Sequence, residues 1–448
     1  MIHTEPAKFE KNNKKIVNAW CMYDWANSVY SLVITSAIFP VYFQNVTTLR
    51  DVQGKIINDV VNFFGFEIVN SVLYSYAVSF SFILISILSP ILSSIADYSG
   101  KKKLFMQFFC YLGAISCGLL YFFTDQTVSY AVILFVTASI GFSGSVVFYN
   151  AYLPEIATED KFDLYSARGF ALGYVGSIIL LVINLATILS PETFGFYDSS
   201  IATRFSFLTV GLWWFGFAQY SFRYLPDNLH HKTFTGNLVS KGFKELSTVL
   251  KQVQINSLLK KFILAFFFYN MGVQTVIYLA TVFGEKELNL PGELLIGTIL
   301  VLQLVAIAGS YLFSFLSKKY GNIYSLMISI SVWTIVCISA YFINTPLQFI
   351  IVAGIVGLVL GGIQAISRST YAKMIPDNTT DTASYFSFYD VAEKVSIVIG
   401  TFVYGFINHL TGSMRISSIC LAMFFITGFI LLSRIPSRQV YTNAIDRE

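Results

Sequence analysis

At 448 residues, with 55% hydrophobic and only 12% charged residues, a mean hydropathy of +0.65 and a formal net charge of +4, the chain lacks the polar coat of a water-soluble protein. Soluble domains carry about 25% charged residues. The length accommodates about twelve apolar helices of roughly 20 residues with short loops, and leaves no room for a sizeable soluble domain. The expected fold class is therefore an all-α polytopic membrane protein.

The first fifteen residues are polar and carry Lys8, Lys11, Lys14 and Lys15. No small-residue cleavage site precedes the apolar run that follows, so this segment reads as a cytosolic N-terminus and not as a signal peptide. Apolar runs then predict spans 1 to 6 at about 16–45, 70–95, 103–123, 127–152, 166–190 and 203–225. The first run exceeds what a bilayer needs, so it is tilted or extends past the lipid. Spans 7 to 12 follow at about 261–284, 292–316, 323–343, 346–372, 383–409 and 415–434. The expected organisation is a six-helix bundle over 1–225, a polar cytosolic loop over 226–260, and a second six-helix bundle with a short tail over 261–448.

Charge tests this numbering. Of the 29 Lys and Arg residues, 23 fall in segments on the side of the N-terminus, five (Arg50, Lys55, Arg204, Lys286, Arg415) fall on the other, and Lys394 lies inside a span. A split this uneven follows the positive-inside rule and places both termini in the cytosol. The net charge reflects these loops, and no nucleic-acid partner is expected. The five cysteines all fall in spans at scattered spacings, and the four histidines are His3, His230, His231 and His409. Neither set has metal-ligand spacing, so no metal or cofactor is expected. The triplet Asn45-Val46-Thr47 is a glycosylation pattern of little specificity.

The two halves repeat one another. Tyr23-Asp24-Trp25-Ala26-Asn27-Ser28 in span 1 is matched by Tyr269-Asn270-Met271-Gly272-Val273-Gln274-Thr275 in span 7. Pro154-Glu155 after span 4 is matched by Pro376-Asp377 after span 10. Asp97-x-x-Gly100-Lys101-Lys102 after span 2 is matched by Lys318-x-x-Gly321-Asn322 after span 8. A duplicated six-helix unit of this kind places a solute site between its halves near mid-membrane.

The loop segment Asp97-x-x-Gly100-Lys101-Lys102 resembles the loop motif of the major facilitator superfamily. Its Gly permits a tight turn, and its acid and basic residues can pair across the cytosolic face when that side is closed. The second copy carries Lys318 where an acid is expected. The span 1 segment Tyr23–Ser28 is similar to the signature of the vacuole-effluxer branch of that superfamily. So are Phe148-Tyr149-Asn150-Ala151-Tyr152-Leu153-Pro154, Gly169–Tyr174, Tyr269–Val276, Gly361–Ser369, and Tyr389-Asp390-Val391 with Glu393-Lys394. The resemblance covers nearly the whole chain. It implies a major facilitator fold of twelve transmembrane helices and transport of a small solute, with amino-acid export from the vacuole the best-known activity of fungal members. Met271 stands where some relatives carry an acid.

Charges and amides inside spans are the functional candidates, because a charge at the bilayer centre costs about 2.5–3.5 kcal/mol on insertion scales. Asp24 and Asn27 share one face of span 1 and form a polar patch. Asp24 either binds a substrate amine or coupling proton, or makes a structural hydrogen bond. Asn270 and Gln274, an i, i+4 pair on span 7, either hydrogen-bond a solute or join helices. Gln364 and Arg368 form another such pair on span 10. Arg368 could grip a carboxylate, but its place near the cytosolic end favours snorkelling or a pair with Asp390 or Glu393. Asp390, Glu393 and Lys394 on span 11 either line water or form a buried network. Glu393 would pair there with Arg368 or Arg168. The substrate or coupling-ion candidates are Asp24, Asn27, Asn150, Asn270, Gln274 and Gln364. The gating network expected is Asp97, Lys101, Lys102, Glu155, Arg168, Arg368, Asp390, Glu393 and Lys394.

The function expected is secondary active or facilitative transport of a small polar solute by a monomer in contact with membrane lipid, with an amino acid the leading substrate and a proton the candidate coupling ion. The alternatives are a non-transporting sensor or scaffold built on a transporter, and a polytopic membrane enzyme. The short outer loops hold no catalytic set for the latter. The host membrane would be the cell membrane in a bacterium or the vacuolar membrane in a fungus.

Overall fold

The computed structural model describes residues 10–52, 56–227, 238–376 and 379–436. Lys8, Lys55, Asp377, His3, His230, His231, Arg438 and Arg447 lie outside the described residues. Among the described residues, twelve long helices follow the apolar runs. Spans 1 to 6 are Lys14–Thr47, Asn70–Ser99, Lys102–Phe122, Val128–Ala151, Phe162–Leu189 and Ser199–Tyr224. Spans 7 to 12 are Ser257–Leu288, Gly292–Tyr320, Asn322–Phe342, Pro346–Met374, Thr382–Thr411 and Met414–Ser433. Among the described residues, 11 helices are long and apolar enough to cross a membrane by length and composition. Span 11 is the exception: it has 30 residues, and Asp390, Glu393 and Lys394 interrupt its apolar run.

Hydropathy does not set the helix ends, which lie where polar groups are tolerated; side-chain caps do. Asn13 Oδ1 accepts the N–H of Lys15 at 3.0 Å at the start of span 1. Asn256 Oδ1 accepts from Leu258 and Leu259, each at 3.1 Å, at the start of span 7. Thr345 and Gln348 form a reciprocal capping box on span 10. Gly100 (φ +65°) and Gly321 (φ +92°) turn the chain between spans 2 and 3 and between spans 8 and 9. This backbone region disfavours a β-carbon, which is the physical content of the repeated motif. Span 1 departs from regular geometry: its middle, Tyr30–Ile38, is π-helical. The segment between spans 1 and 2 holds two short antiparallel hairpins, Leu49–Arg50 with Ile56–Asn58 and Val60–Phe63 with Phe66–Val69.

Spans 1 to 6 pack chiefly on one another, as do spans 7 to 12. Small residues set the closest approaches. A β-carbon on Gly361 of span 10 would stand 2.0 Å from the Ala306 carbonyl oxygen of span 8. The halves meet where span 2 lies on span 11, span 4 on span 11, and span 5 on spans 8 and 10. The central segment contributes a further helix, Leu238–Ile255, which packs against span 2, and its Gln252 Oε1 accepts the Tyr385 hydroxyl of span 11 at 2.8 Å. This helix, the start of span 1 and the turns after spans 2, 4, 8 and 10 share one face of the molecule, called the loop face below.

Candidate functional site: a cavity between the halves

A cavity of about 1610 Å³, counting its open mouth, separates the two halves. Spans 1, 2, 4 and 5 line it from the first half and spans 7, 8, 10 and 11 from the second. Asp24, Asn27, Asn150, Asn270, Gln274 and Gln364 all border it, and so do Arg368, Glu393 and Lys394. The polar positions that interrupt the apolar runs thus converge on one space, as the cost of exposing them to lipid requires.

The floor of the cavity is an ion pair between the halves. Arg368 Nη1 donates to Asp24 Oδ2 at 3.2 Å, and the Tyr149 hydroxyl donates to the same oxygen at 2.7 Å. The guanidinium is satisfied on its other sides by the first half: Nε donates to Ser166 Oγ at 2.9 Å, Nη2 to the Ser166 carbonyl at 2.9 Å, and Nη1 to Asn150 Oδ1 at 3.3 Å. The rings of Trp20, Tyr149 and Phe170 surround it, with centroids 4.8, 5.4 and 4.1 Å from its carbon. Arg368 is 3% exposed. It therefore neither snorkels to the surface nor pairs with Asp390 or Glu393. Once desolvated, a planar cation is held most strongly by a carboxylate and by aromatic faces, and span 1 and its neighbours supply both. Gly169 makes room for the pair, since a β-carbon there would stand 2.5 Å from Asp24 Oδ2. Beside it, the Tyr174 hydroxyl of span 5 donates to Gln364 Oε1 of span 10 at 2.6 Å.

Two latches close the loop face below this floor. In the first, Asp97 at the end of span 2 accepts the N–H groups of Ala383 and Ser384 at 3.2 and 2.7 Å, and the Ser384 hydroxyl at 2.8 Å. An acid of one half thus caps a helix of the other, where the helix dipole favours negative charge. Lys102 donates to Glu155 and to Thr382 Oγ, and Thr382 Oγ donates to Glu155 Oε1 at 2.6 Å. In the second latch, Lys373 at the end of span 10 donates to Asp163 Oδ2 of span 5 at 2.7 Å. Ser317 Oγ donates to the same oxygen at 3.0 Å, and Asn322 Nδ2 to Asp163 Oδ1 at 2.8 Å. The second motif copy carries Lys318 in place of an acid, but the latch forms with the acid moved to the opposite half.

The second-half wall of the cavity is amide-rich. Asn270 Nδ2 donates to Ser396 Oγ at 2.7 Å, and Gln274 Nε2 lies 3.4 Å from Asn270 Oδ1. The Tyr269 and Ser367 hydroxyls are 2.7 Å apart. Across the cavity, Asn27 Nδ2 is buried without a hydrogen-bond partner among the described residues. On span 11, Lys394 Nζ lies 3.6 Å from Asp390 Oδ1 and 3.3 Å from Glu393 Oε1. Glu393 thus takes its partner from its own helix and not from Arg368 or Arg168. Arg168 is half-buried and has no carboxylate within ion-pair distance among the described residues. Lys101 is exposed.

A family model for Atg22-like vacuole effluxers matches residues 12–444. The chain belongs to the Atg22-like vacuole effluxer family. It is 33% identical to an uncharacterized MFS-type transporter, YxiO, of Bacillus subtilis (strain 168), over 95% of this chain and 96% of that protein. It is 21% identical to autophagy-related protein 22 of Coccidioides immitis (strain RS), over 90% of this chain and 83% of that protein. The major facilitator fold is shared with solved transporters. The proton:xylose symporter XylE bound to 6-bromo-6-deoxy-D-glucose gives a TM-score of 0.69 over 94% of this chain and 96% of that chain at 11% identity. The transporter FucP in the outward conformation gives 0.64 over 94% and 98% at 15% identity. The protein is thus a multi-pass membrane transporter.

Several parts of this effluxer-family site escaped the sequence. Asp163 sits in a short polar stretch with Glu159 and Asp160, and nothing in that stretch set it apart. Tyr149 lay inside a recognised segment, but nothing marked its hydroxyl as the donor to Asp24. Ser166 resembled any small residue at a helix interface. The π-helical segment, which presents Tyr30, Ser31, Leu32, Thr35 and Ser36 to the cavity, had only the length of the first apolar run as a signal. Such segments concentrate at functional sites.

Proposed function

We propose that this chain moves small zwitterions of the amino-acid class across its membrane by alternating access, with the loop face in the cytosol and a single chain as the working unit. The Asp24–Arg368 pair carries the proposal. It sets a carboxylate of one half against a guanidinium of the other at the floor of the cavity. Rocking the halves open at the loop face parts the two groups and leaves each needing a counter-charge. The ammonium of an amino acid replaces Arg368 at Asp24, and its carboxylate replaces Asp24 at Arg368, so one zwitterion bridges both. Asn27, Asn150, Asn270, Gln274 and Gln364 then supply neutral hydrogen bonds around it. Asp97, Lys102, Glu155, Asp163 and Lys373 act as the gate that holds the loop face shut between openings.

Three further points support this proposal. The 23-to-5 distribution of basic residues supports a cytosolic loop face. The match to the vacuole effluxer family supports a small solute and favours export. The 33% identity to a Bacillus protein favours a cell membrane as the host. The test is counterflow of radiolabelled amino acids in proteoliposomes, comparing wild type with Asp24→Asn. Exchange is expected in the wild type and at least about tenfold less in the variant, the loss from removing one charge-assisted contact of ~1.5 kcal/mol or more. Unchanged exchange in Asp24→Asn would remove its assigned role, and absence of exchange with every amino acid would remove the substrate class.

A further inference from the structure

Span 11 holds a charge imbalance that the zwitterion site does not use. Asp390, Glu393 and Lys394 bring two carboxylates to one ammonium, and all three lie inside the helix Thr382–Thr411, away from its ends. Asp390 is 4% exposed and Lys394 is 6% exposed. Asp390 Oδ1 faces Lys394, while Asp390 Oδ2 is buried without a hydrogen-bond partner among the described residues. With every group ionised the cluster carries one uncompensated negative charge. Its neighbours do not cancel that charge. The charged groups acting on Asp390 are Lys394 and Glu393, both from its own helix. Tyr278 of span 7 faces Lys394 as a neutral phenol. Arg368 of span 10 reaches Tyr389 but is held by Asp24. Span 2 presents the ring of Phe82, whose centroid is 5.7 Å from Lys394 Nζ.

A buried carboxylate oxygen with no donor is satisfied most simply by a proton. We infer that the Asp390–Glu393–Lys394 cluster is the proton-coupling site of this transporter, with Asp390 the group that carries the proton. This inference rests on the transport proposal above and adds its driving ion. Protonation converts the Asp390 carboxylate to a carboxylic acid and makes the cluster neutral; deprotonation in the opposite state returns the proton to the water there. Glu393, whose side chain is 26% exposed and borders the cavity, provides the path between water and Asp390. A proton satisfies Asp390 Oδ2 by itself, whereas a sodium ion would need a shell of several further oxygen ligands around it. The link to rocking is direct. The same helix begins at the Asp97 latch, and Lys394 lies over a ring of the opposite half.

The experiment uses the full chain in proteoliposomes with a mixture of radiolabelled zwitterionic amino acids. Counterflow without ion gradients is compared with uptake driven by a proton gradient and by a sodium gradient. Wild type is expected to exchange, to accumulate label on the proton gradient, and not to do so on the sodium gradient. Asp390→Asn is expected to keep exchange and lose accumulation, and Asp390→Glu to keep both. Accumulation by Asp390→Asn at the wild-type level overturns the proposal. So does a wild type that exchanges without concentrating, or one driven by sodium. Absence of exchange by the wild type counts against the transport proposal instead. A carbodiimide, which modifies protonated carboxyl groups in apolar surroundings, gives a readout that needs neither substrate nor variant. Mass spectrometry should find its adduct on Asp390, with yield falling as the pH is raised, and an unmodified Asp390 overturns the assignment.

Discussion

Asp97 of the first half accepts both the N–H and the hydroxyl of Ser384 in the second half, at 2.7 and 2.8 Å. The first turn of span 11 is thereby capped by a residue from another bundle. The cap exists only while the loop face is shut, so its free energy belongs to one conformational state. Replacing Asp97 by Asn keeps the shape but removes the charge from the helix terminus. Hydrogen bonds to charged groups contribute about 1.5–3 kcal/mol. The variant is expected to shift the closed-to-open balance at the loop face by about tenfold or more. Spin labels at exposed Lys161 and Lys319, one in each half, should then show a longer distance population that is minor in the wild type.

The Asp24–Arg368 pair makes a prediction about stability. Removing one partner strands a buried charge, which costs about 3–5 kcal/mol, whereas removing both leaves two neutral groups in a polar cavity. Asp24→Asn and Arg368→Gln should each lower the unfolding midpoint of the purified protein markedly. The double variant should be more stable than the sum of the two losses implies. Strict additivity in this cycle would show that the pair does not act as a unit.

Gly169 and Gly354 separate packing from propensity. An alanine methyl at Gly169 would meet Asp24 Oδ2 at 2.5 Å and the Tyr149 hydroxyl at 3.0 Å, whereas Gly354 has nothing within 4 Å. Gly169→Ala is expected to destabilise by about 1–3 kcal/mol and to displace the ion pair. It should reduce exchange transport while the protein still reaches the membrane. Gly354→Ala removes a helical glycine in open space and should be neutral or stabilising by up to about 1 kcal/mol. Equal effects of the two substitutions on exchange would refute this account.

The second latch can be tested by exchanging its charges. Asp163→Lys places two cations at the junction with Lys373, and Lys373→Asp places two anions there. Each single variant should favour an open loop face and raise the rate at which a membrane-impermeant thiol reagent reaches a cysteine at Ser166. The double variant Asp163→Lys/Lys373→Asp should restore part of the protection. No recovery would assign the closure to Asn322 and Ser317 instead of the ion pair.

The spans were legible because hydropathy is a local property, and the basic-residue count fixed their alternation. Span 11 was found despite its three charges because the apolar sequence resumes on both sides of them. The cavity-lining side chains were legible for the same reason: Asp24, Asn270 and Gln364 are polar interruptions in apolar runs. Their partners were not. Asp24 and Arg368 are 344 residues apart, and their meeting depends on which face of the molecule is closed. Arg368 had several acids within plausible reach, and spacing along the chain favoured the nearer ones. The second latch was not legible because the motif copy beside Gly321 carries Lys318 in place of an acid, and the same electrostatic purpose is met by Asp163 on span 5.

The three contacts at the heart of closure share a direction: Asp24, Asp97 and Asp163 belong to the first half, while Arg368, Ser384 and Lys373, which donate to them, belong to the second. The two six-helix bundles thus form a complementary couple. By the offset that relates Pro154 to Pro376, Arg368 corresponds to Val146 and Lys373 to Ala151, so a first half facing its own copy would offer Asp24 and Asp163 no cation. Each bundle supplies at these junctions what the other lacks, and a change that put an acid in place of Arg368 or Lys373 would work against closure.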